Sequence, residues 1–465
     1  MKLNQYDIFY FLGIGGIGMS ALARYFHSQG KQVMGYDKTS TPLTTELEME
    51  GIAVHFEDSV LEIAQLVKLS EKEKVLVVLT PAIPKDSNEL LWFQQNNYTI
   101  LKRSQVLGLI TETSKTIAVA GTHGKTTTSA LIAHILTSSG HGCNAFLGGI
   151  TANYNTNLLL SPGVEWTVVE ADEYDRSFLT LSPTIAVITS MDADHLDIYG
   201  THDYMIESYN LFANRVVDDG VLIVRKDLPL AIQDSRFRIS NYSITESADY
   251  MSEDIRIENG EYVFGLRGIR NNLKLGLAGR HNVENAIAAC AVCLEIGIEP
   301  EKIREALASF LGVKRRFEYI IKRPNLVLID DYAHHPEELR ACISSARELY
   351  PGKKLTGIFQ PHLFTRTRDF ADDFARSLEL LDEIILLPIY PARELPLPGI
   401  DSQMLLDKIR KPHKMLVEKS GLLAELGSRE VEVVLMLGAG DIDAWVQPVH
   451  QLMKTDDRRP KTGDR

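Results

Sequence analysis

Gly121-Thr122-His123-Gly124-Lys125-Thr126 is the stretch of this chain best equipped for chemistry. A short β-branched run, Thr116–Ala120, precedes it and reads as a buried strand, and a helical pattern over Thr127–Leu136 follows. A glycine-rich turn between strand and helix points backbone N–H groups inward and aims the positive end of the helix at an anion. Lys125 can reach the outer phosphates of a nucleotide, and the Thr126 hydroxyl can ligate Mg²⁺. The loop is a shortened phosphate loop, because position 119 is Val where the longer pattern needs Gly. A bare turn has no need of Gly-Lys-Thr-Thr, so phosphate binding, with nucleotide hydrolysis or transfer, is the chemistry expected.

Two acidic segments belong with it. Trp166–Glu170 reads as a strand that delivers Glu170-Ala171-Asp172-Glu173-Tyr174-Asp175, and a carboxylate at that position suits Mg²⁺, directly or through water. Ile185–Thr189 ends in Ser190-Met191-Asp192-Ala193-Asp194-His195, and a histidine among three aspartates (Asp197 is the third) reads as part of a metal or phosphate site. The offset from Glu170 to His195, 195 − 170 = 25 residues, allows one helix crossover between neighbouring strands. Both side chains would then stand at one sheet edge.

The elements that position these groups repeat an alternating strand–helix pattern. Tyr6–Leu12 is a strand, Gly13-Ile14-Gly15-Gly16-Ile17-Gly18 a G-x-G-x-x-G turn, and Met19–Gln29 a helix. Asp37 follows the strand Gln32–Tyr36 at the distance where such an acid meets a ribose hydroxyl. Val75–Leu79 ends in a small-residue turn at Thr80, and Thr99–Leu101 in Lys102-Arg103-Ser104. This first domain closes near Ile110, and 111–115 is a polar link. Residues 215–275 read as short strands and turns. Gly279-Arg280-His281-Asn282 then opens a helix on which His281 and Asn285 share a face suited to a base or ribose edge. Lys314-Arg315-Arg316 marks a second boundary and is placed to pair with phosphate. Beyond it four strands end in polar clusters: Asp330-Asp331-Tyr332-Ala333-His334, Gln360 through Arg366 and Arg368, Tyr390 through Arg393, and Gly438 through Asp441. Open α/β sheets bind ligands at such carboxyl ends.

With 465 residues, 45% hydrophobic and 24% charged, the chain is an ordinary globular protein of two to four domains. A net charge of -13 argues against general binding to nucleic acid or anionic membranes. No apolar run approaches a membrane span, and no signal-peptide core opens the chain. Four cysteines fit a reducing compartment, so a cytoplasmic location is expected. Cys290 and Cys293 lie in an amphipathic helix and read as core packing. The last residues, 456–465, read as a disordered tail. An NAD-dependent oxidoreductase would use the first glycine turn but leave Gly121–Thr128 unexplained. A non-catalytic nucleotide sensor would not need the acids and His195.

Taken together, GTHGKTTT, EADE, DADH and GRHNVENA resemble the Mur ligase superfamily, ATP-dependent amide-bond-forming enzymes of peptidoglycan synthesis. The resemblance covers nearly the whole chain. Within the superfamily, LGIGGIGMSALA, VKRRFE, DDYAHHPEE, FQPHLFTRTRDF, YPARELPLPG and LGAGDI resemble the branch that attaches L-alanine to UDP-N-acetylmuramate. The nearest rival branch returns an intact tripeptide to the same sugar nucleotide and shares the EADEYD form; FQPH…TRTR separates them. A folate-type polyglutamate ligase, a further member, is disfavoured by the N-terminal turn.

The resemblance implies an α/β fold of three domains: a Rossmann-like UDP-sugar domain over 1–110, a central P-loop ATPase-type domain over 111–312 and a Rossmann-like ligase domain over 313–455. Gly13, Gly15, Gly16, Ile17, Gly18, Asp37, Thr80 and Arg103 would then bind the UDP-sugar. Gly121, Thr122, His123, Gly124, Lys125, Thr126, Thr127, His281, Asn285, Arg316 and Asp331 would bind ATP. Thr126, Glu170 and His195 would hold Mg²⁺ or Mn²⁺. Lys125, Glu170, His195, His334, Arg366 and Arg368 would be catalytic, and Arg366, Arg368 and Arg393 would receive the amino acid. The carbamylated lysine of several relatives has no counterpart, because Leu196–Asn214 contains no lysine. The enzyme would be a monomer or weak homodimer that closes on its substrates at boundaries near Lys115 and Val313.

Overall fold

Short apolar runs with side chains buried on both faces make parallel strands, and the chain opens with five of them. In the computed structural model, β1 (Ile8–Leu12), β2 (Gln32–Tyr36), β3 (Ala53–His55), β4 (Val75–Leu79) and β5 (Thr99–Lys102) form a parallel sheet in the order β3-β2-β1-β4-β5. The order reverses between β1 and β4, which opens a crevice at their carboxyl ends. The structure describes residues 2–63, 65–194, 196–232, 236–267, 269–392 and 394–456. These fall into two compact units, residues 1–254, 264–274 and 284–311 in one, and 255–263, 275–283 and 312–465 in the other.

The first unit holds a second parallel array, made of β6 (Lys115–Ala120), β7 (Asn144–Thr151), β8 (Thr156–Leu159), β9 (Trp166–Glu170), β10 (Ile185–Ile188), β11 (Val221–Arg225) and β12 (Arg238–Ser243). They run β12-β11-β10-β6-β9-β7-β8, all parallel except the pairing of β8 with β7. β9 and β10 are therefore not neighbours, as the spacing of Glu170 and His195 suggested. β6 stands between them, and a 3₁₀ stretch, Tyr174–Thr180, replaces the expected crossover helix. All three strands still end at one edge because all three run parallel. β13 (Tyr250–Glu258), β14 (Glu261–Leu266) and β15 (Ile269–Leu275) are the short strands expected before residue 275.

The boundary expected at 110 is not a seam. One apolar core runs from Phe9 and Phe26 through Phe146 and Val169 to Phe212 and Phe237, spanning both sheets. The helix Ile17–Ser28 lies on β7 and β8, with Tyr25 and Phe146 ring centroids 5.4 Å apart. Asn157 is fully buried there, its amide donating to the Ile17 carbonyl at 2.5 Å and the Ser20 hydroxyl at 3.0 Å, while Arg24 donates to its carbonyl at 2.8 Å. Closure at Lys115 would have to rearrange this shared core.

In the second unit β16 (Glu318–Lys322), β17 (Val327–Asp331), β18 (Leu355–Phe359), β19 (Glu383–Leu386), β20 (Lys414–Leu416) and β21 (Val433–Leu437) run β16-β17-β21-β18-β19-β20, with only β16 antiparallel. Apolar clusters cover both faces. The helix Val446–Asp456 takes in the first residue of the expected tail, and 457–465 lie outside the described residues. All four cysteines are buried and unbridged, in agreement with a packing role for Cys290 and Cys293. Among the described residues no helix is long and apolar enough to cross a membrane.

Asn157→Ala should leave the Arg24 guanidinium and the Ser20 hydroxyl without this buried partner. A loss of about 1–3 kcal/mol is expected in urea unfolding, against no change if the seam is loose.

Candidate functional site

The phosphate loop sits where the three parallel strands end. Its two glycines adopt backbone angles closed to other residues, φ +138° at Gly121 and +84° at Gly124. A Cβ on Gly121 would stand 2.1 Å from the Thr189 hydroxyl, and one on Gly124 would stand 2.5 Å from the Asn285 side-chain carbonyl. The end of β10 backs the loop: the His123 N–H donates to Ser190 Oγ at 2.7 Å, the Thr122 hydroxyl donates to the Asp192 carbonyl at 2.8 Å, and Thr189 donates to the His123 carbonyl. The helix Lys125–Ser138 begins two residues earlier than its sequence pattern, so that Gly124 is its cap and Thr127 lies in its first turn.

Each functional side chain of the loop meets its own acid. Thr126 Oγ1 donates to both oxygens of Glu170, at 2.9 and 3.1 Å. The Gly148 N–H donates to Glu170 from the other side at 3.0 Å. Lys125 Nζ donates to the Gly121 carbonyl at 2.6 Å and to Glu173 at 2.9 Å. Burial drives the Lys125 pKa down, but Glu173, Glu170 and Asp172 outweigh it and hold the ammonium above the ordinary lysine value. Glu173 escaped the sequence reading. It lies among four acids in six residues, and once β9 ends at Glu170 there is no strand alternation to say which of them faces the loop.

The first glycine turn is built at the β1–β4 crevice. Gly13 has φ +90°, and a Cβ there would stand 2.4 Å from the Thr80 methyl. A Cβ on Gly18 would meet the Arg103 guanidinium at 2.9 Å. Asp37 takes the Gly15 N–H at 2.8 Å and the Thr39 N–H at 3.2 Å, so it braces the turn. Arg103 pairs with Asp172 at 3.1 Å. A cavity of about 280 Å³ lies between the first glycine turn and the end of β9: Gly16, Ile17, Gly18, Thr80 and Arg103 line it with Gly148, Glu170 and Asp172.

The second unit gathers part of its expected set. Arg366, 8% exposed, lies 3.4 Å from His362 Nδ1, and the His362 ring stands 5.8 Å from that of His334 and stacks on Tyr390. His334 Nδ1 lies 2.9 Å from the Tyr332 carbonyl and 3.2 Å from Glu338. Arg368 does not join them. Two positions along the helix Phe364–Asp369 it turns to the opposite side, is exposed, and pairs with Asp369 at 2.7 Å. Arg316 lies over the Tyr332 ring and 3.4 Å from Glu338. Asp331 accepts the Phe317 and Ala333 N–H groups, both at 2.7 Å, so it clamps the turn that carries Arg316. Its neighbour Asp330 is buried 3.4 Å from Arg315; burial raises its pKa to about 7 against the pull of that arginine. Of the adenine pair, Asn285 stands against the phosphate loop, while His281 packs beside Gly279 in the second unit. His195 and Arg393 lie outside the described residues. Sequence reading also passed over His362 and Tyr390, which a strand-end position alone does not single out.

Comparison with known proteins gives a consistent result. Family models match consecutively: the Mur ligase family catalytic domain over 8–115, the Mur ligase middle domain over 119–293 and the Mur ligase glutamate ligase domain over 315–440. A relative from Parabacteroides distasonis, named UDP-N-acetylmuramate–L-alanine ligase, is 50% identical over 99% of this chain and 100% of its own. The crystal structure of the UDP-N-acetylmuramate–alanine ligase from Thermotoga maritima superposes with a TM-score of 0.80 at 29% identity, covering 96% of this chain and 99% of that one. A murein peptide ligase from Psychrobacter arcticus shares the fold, with a TM-score of 0.70 at 20% identity over 96% and 98% of the two chains.

Gly148→Ala should push a methyl group into Glu170, whose Oε2 would be 2.1 Å away. Calorimetric titration with nucleotide is expected to show roughly 10- to 100-fold weaker Mg²⁺-dependent binding, with metal-free binding unchanged. Asp330 gives a pH signature. Its folded pKa, about 7, lies above the ordinary value of 3.8, so its contribution to stability is full below 3.8 and is lost as pH rises through 7. In unfolding followed by tryptophan fluorescence, Asp330→Asn should flatten the decline in stability between pH 4 and 7; an unchanged slope would contradict the assignment.

Proposed function

Because the chain belongs to the Mur ligase family, we infer that it joins the lactyl carboxylate of UDP-N-acetylmuramate to L-alanine, with ATP giving ADP and phosphate, in peptidoglycan synthesis. The observation that carries this reading furthest is the shared cavity. One wall is a glycine turn built for a diphosphate, and the other carries Glu170, which is bonded to the phosphate-loop threonine. A sugar nucleotide held by the first wall would present its acid to a nucleotide held by the second. The tripeptide-adding alternative has weaker support, since the murein peptide ligase shares the fold at 20% identity while the L-alanine relative is 50% identical.

A carboxylate is inert towards amines at neutral pH and must be activated. The acceptor carboxylate attacks the γ-phosphorus, ADP leaves, and an acyl phosphate forms. The amine of L-alanine then attacks the acyl carbon, loses a proton, and expels phosphate. Both steps concentrate negative charge, so fixed cations and positioning supply most of the rate. Lys125 and the N–H groups of 121–127 would hold the phosphates. A side chain at Gly121 or Gly124 would run into Thr189 or Asn285, so the loop takes only glycine at these two positions.

Thr126, Glu170 and His195 would hold Mg²⁺, or Mn²⁺, which would screen the phosphate oxygens during attack. The Thr126–Glu170 pair fits that duty, because it is an oxygen-only donor set at the mouth of the loop. Arg103, Thr80 and Gly13–Gly18 would hold the UDP-sugar, with Asp37 bracing the turn. Asn285 and His281 would take the adenosine. Arg316 would reach the phosphates from the third domain, and His334, Arg366 and Arg393 would receive the alanine carboxylate or the transferring phosphoryl group. We assign the domains as 1–110, 111–312 and 313–455, the location as cytoplasmic and the enzyme as a monomer or weak homodimer.

Phosphate release from ATP with UDP-N-acetylmuramate should require L-alanine and should not be supported by the tripeptide; the reverse preference would overturn the reading. Lys125→Ala is expected to lower turnover by roughly two to three orders of magnitude. Near-normal turnover would remove Lys125 from the mechanism.

A further inference from the structure

Lys125 is a largely buried cation, its side chain 13% exposed, and something must hold its ammonium in place. Two of its contacts are carbonyls of its own loop, Gly121 at 2.6 Å and Thr122 at 3.4 Å. The third is the Glu173 carboxylate, 2.8 Å away and itself 1% exposed. Glu173 is in turn fixed from behind. Its carbonyl accepts the Tyr199 hydroxyl at 2.6 Å, and the chain reverses immediately after Tyr174, with Asp175 and Arg176 both left-handed at φ 53° and 54°. Arg176 then lays its guanidinium over the Tyr199 ring at 5.7 Å. Asp175 pairs with Lys102 at 2.6 Å and Asp172 with Arg103 at 3.1 Å, so both flanks of Glu173 are tied to the end of β5 and the start of the helix that follows it.

We propose that Glu173 is a positioning residue for phosphoryl transfer, a fixed counter-charge that keeps the Lys125 ammonium aimed along the phosphate loop in the empty and the loaded enzyme alike. The proposal rests on the ligase reading above. Two duties are open to a carboxylate on a phosphate-loop lysine. It can occupy the phosphate's place and leave when the nucleotide binds, or it can stay and orient the lysine. A placeholder needs freedom to swing away. Glu173 is buried, its main chain is pinned by Tyr199, and both neighbouring acids are anchored, so it stays. A buried lysine would otherwise fold back onto the loop carbonyls that already take two of its three protons.

The test uses the full-length enzyme, with phosphate release by the parent measured first. If the parent fails to release phosphate, the ligase reading fails; the proposal about Glu173 is then judged by ATP binding alone. Glu173→Gln keeps the shape and removes the charge. It should lower kcat by about 10- to 100-fold while KM for ATP and for the UDP-sugar stays within about threefold. Glu173→Asp, which keeps the charge one methylene further back, should recover part of that loss, and Tyr199→Phe should reproduce a milder version of it. Direct ATP titration of Glu173→Gln should give near-parent affinity. Tighter ATP binding with undiminished kcat would make Glu173 a placeholder and overturn the proposal. A uniform loss of stability and of both substrate affinities, with no recovery in Glu173→Asp, would make it merely structural and overturn it as well.

Discussion

An ammonium removed from water must have anions around it, and the site is arranged around that need. Lys125 is buried beside Glu173, with Glu170 and Asp172 close enough to keep it charged. A neutral lysine would bring nothing to a phosphoryl transfer, and an unpaired charged one would destabilise the fold. The acids that solve this problem all lie in one six-residue stretch, 170–175, that starts at the last residue of β9. That stretch also gives Glu170 to Thr126 and Asp172 to Arg103. One short segment thus serves the phosphate loop, the candidate metal position and the arginine beside the first glycine turn.

The parallel arrangement of β9, β6 and β10 makes this possible. Strands running the same way release their loops at the same edge, so an acid from one, a glycine loop from the next and hydroxyls from the third meet without long excursions of chain. The first sheet repeats the device, with the glycine turn after β1 set against Thr80 after β4. The apolar core shared by the two sheets then holds both edges against one cavity. For the proposed reaction, whose acyl phosphate is open to hydrolysis, packing the two loop-bearing edges against each other is an advantage.

Much of this was legible in the sequence because it depends on local pattern. Strand-ending glycines, the Lys-Thr pair and the acid after a strand are short-range signals, and Gly16–Gly18, Thr80 and Glu170 line the cavity while Thr126 is bonded to Glu170. What depends on packing was not legible. Asp37 and Asp331 have the look of ligand acids, but their oxygens are committed to backbone N–H groups of turns that no periodicity describes. Arg366 and Arg368 look equivalent in FQPHLFTRTRDF, and only the helical turn between them sends one inward and the other to the surface. The core shared across 110 was hidden because a polar link, 111–115, says nothing about the apolar faces on either side of it.

The central claim is that the sugar-borne carboxylate itself attacks the nucleotide's terminal phosphorus. Carrying out the reaction with ¹⁸O in the lactyl carboxylate and analysing the released phosphate by mass spectrometry tests it directly. The account predicts one labelled oxygen transferred from the carboxylate to each phosphate, with the amide keeping the other. Phosphate free of label, formed alongside the new amide, would contradict it.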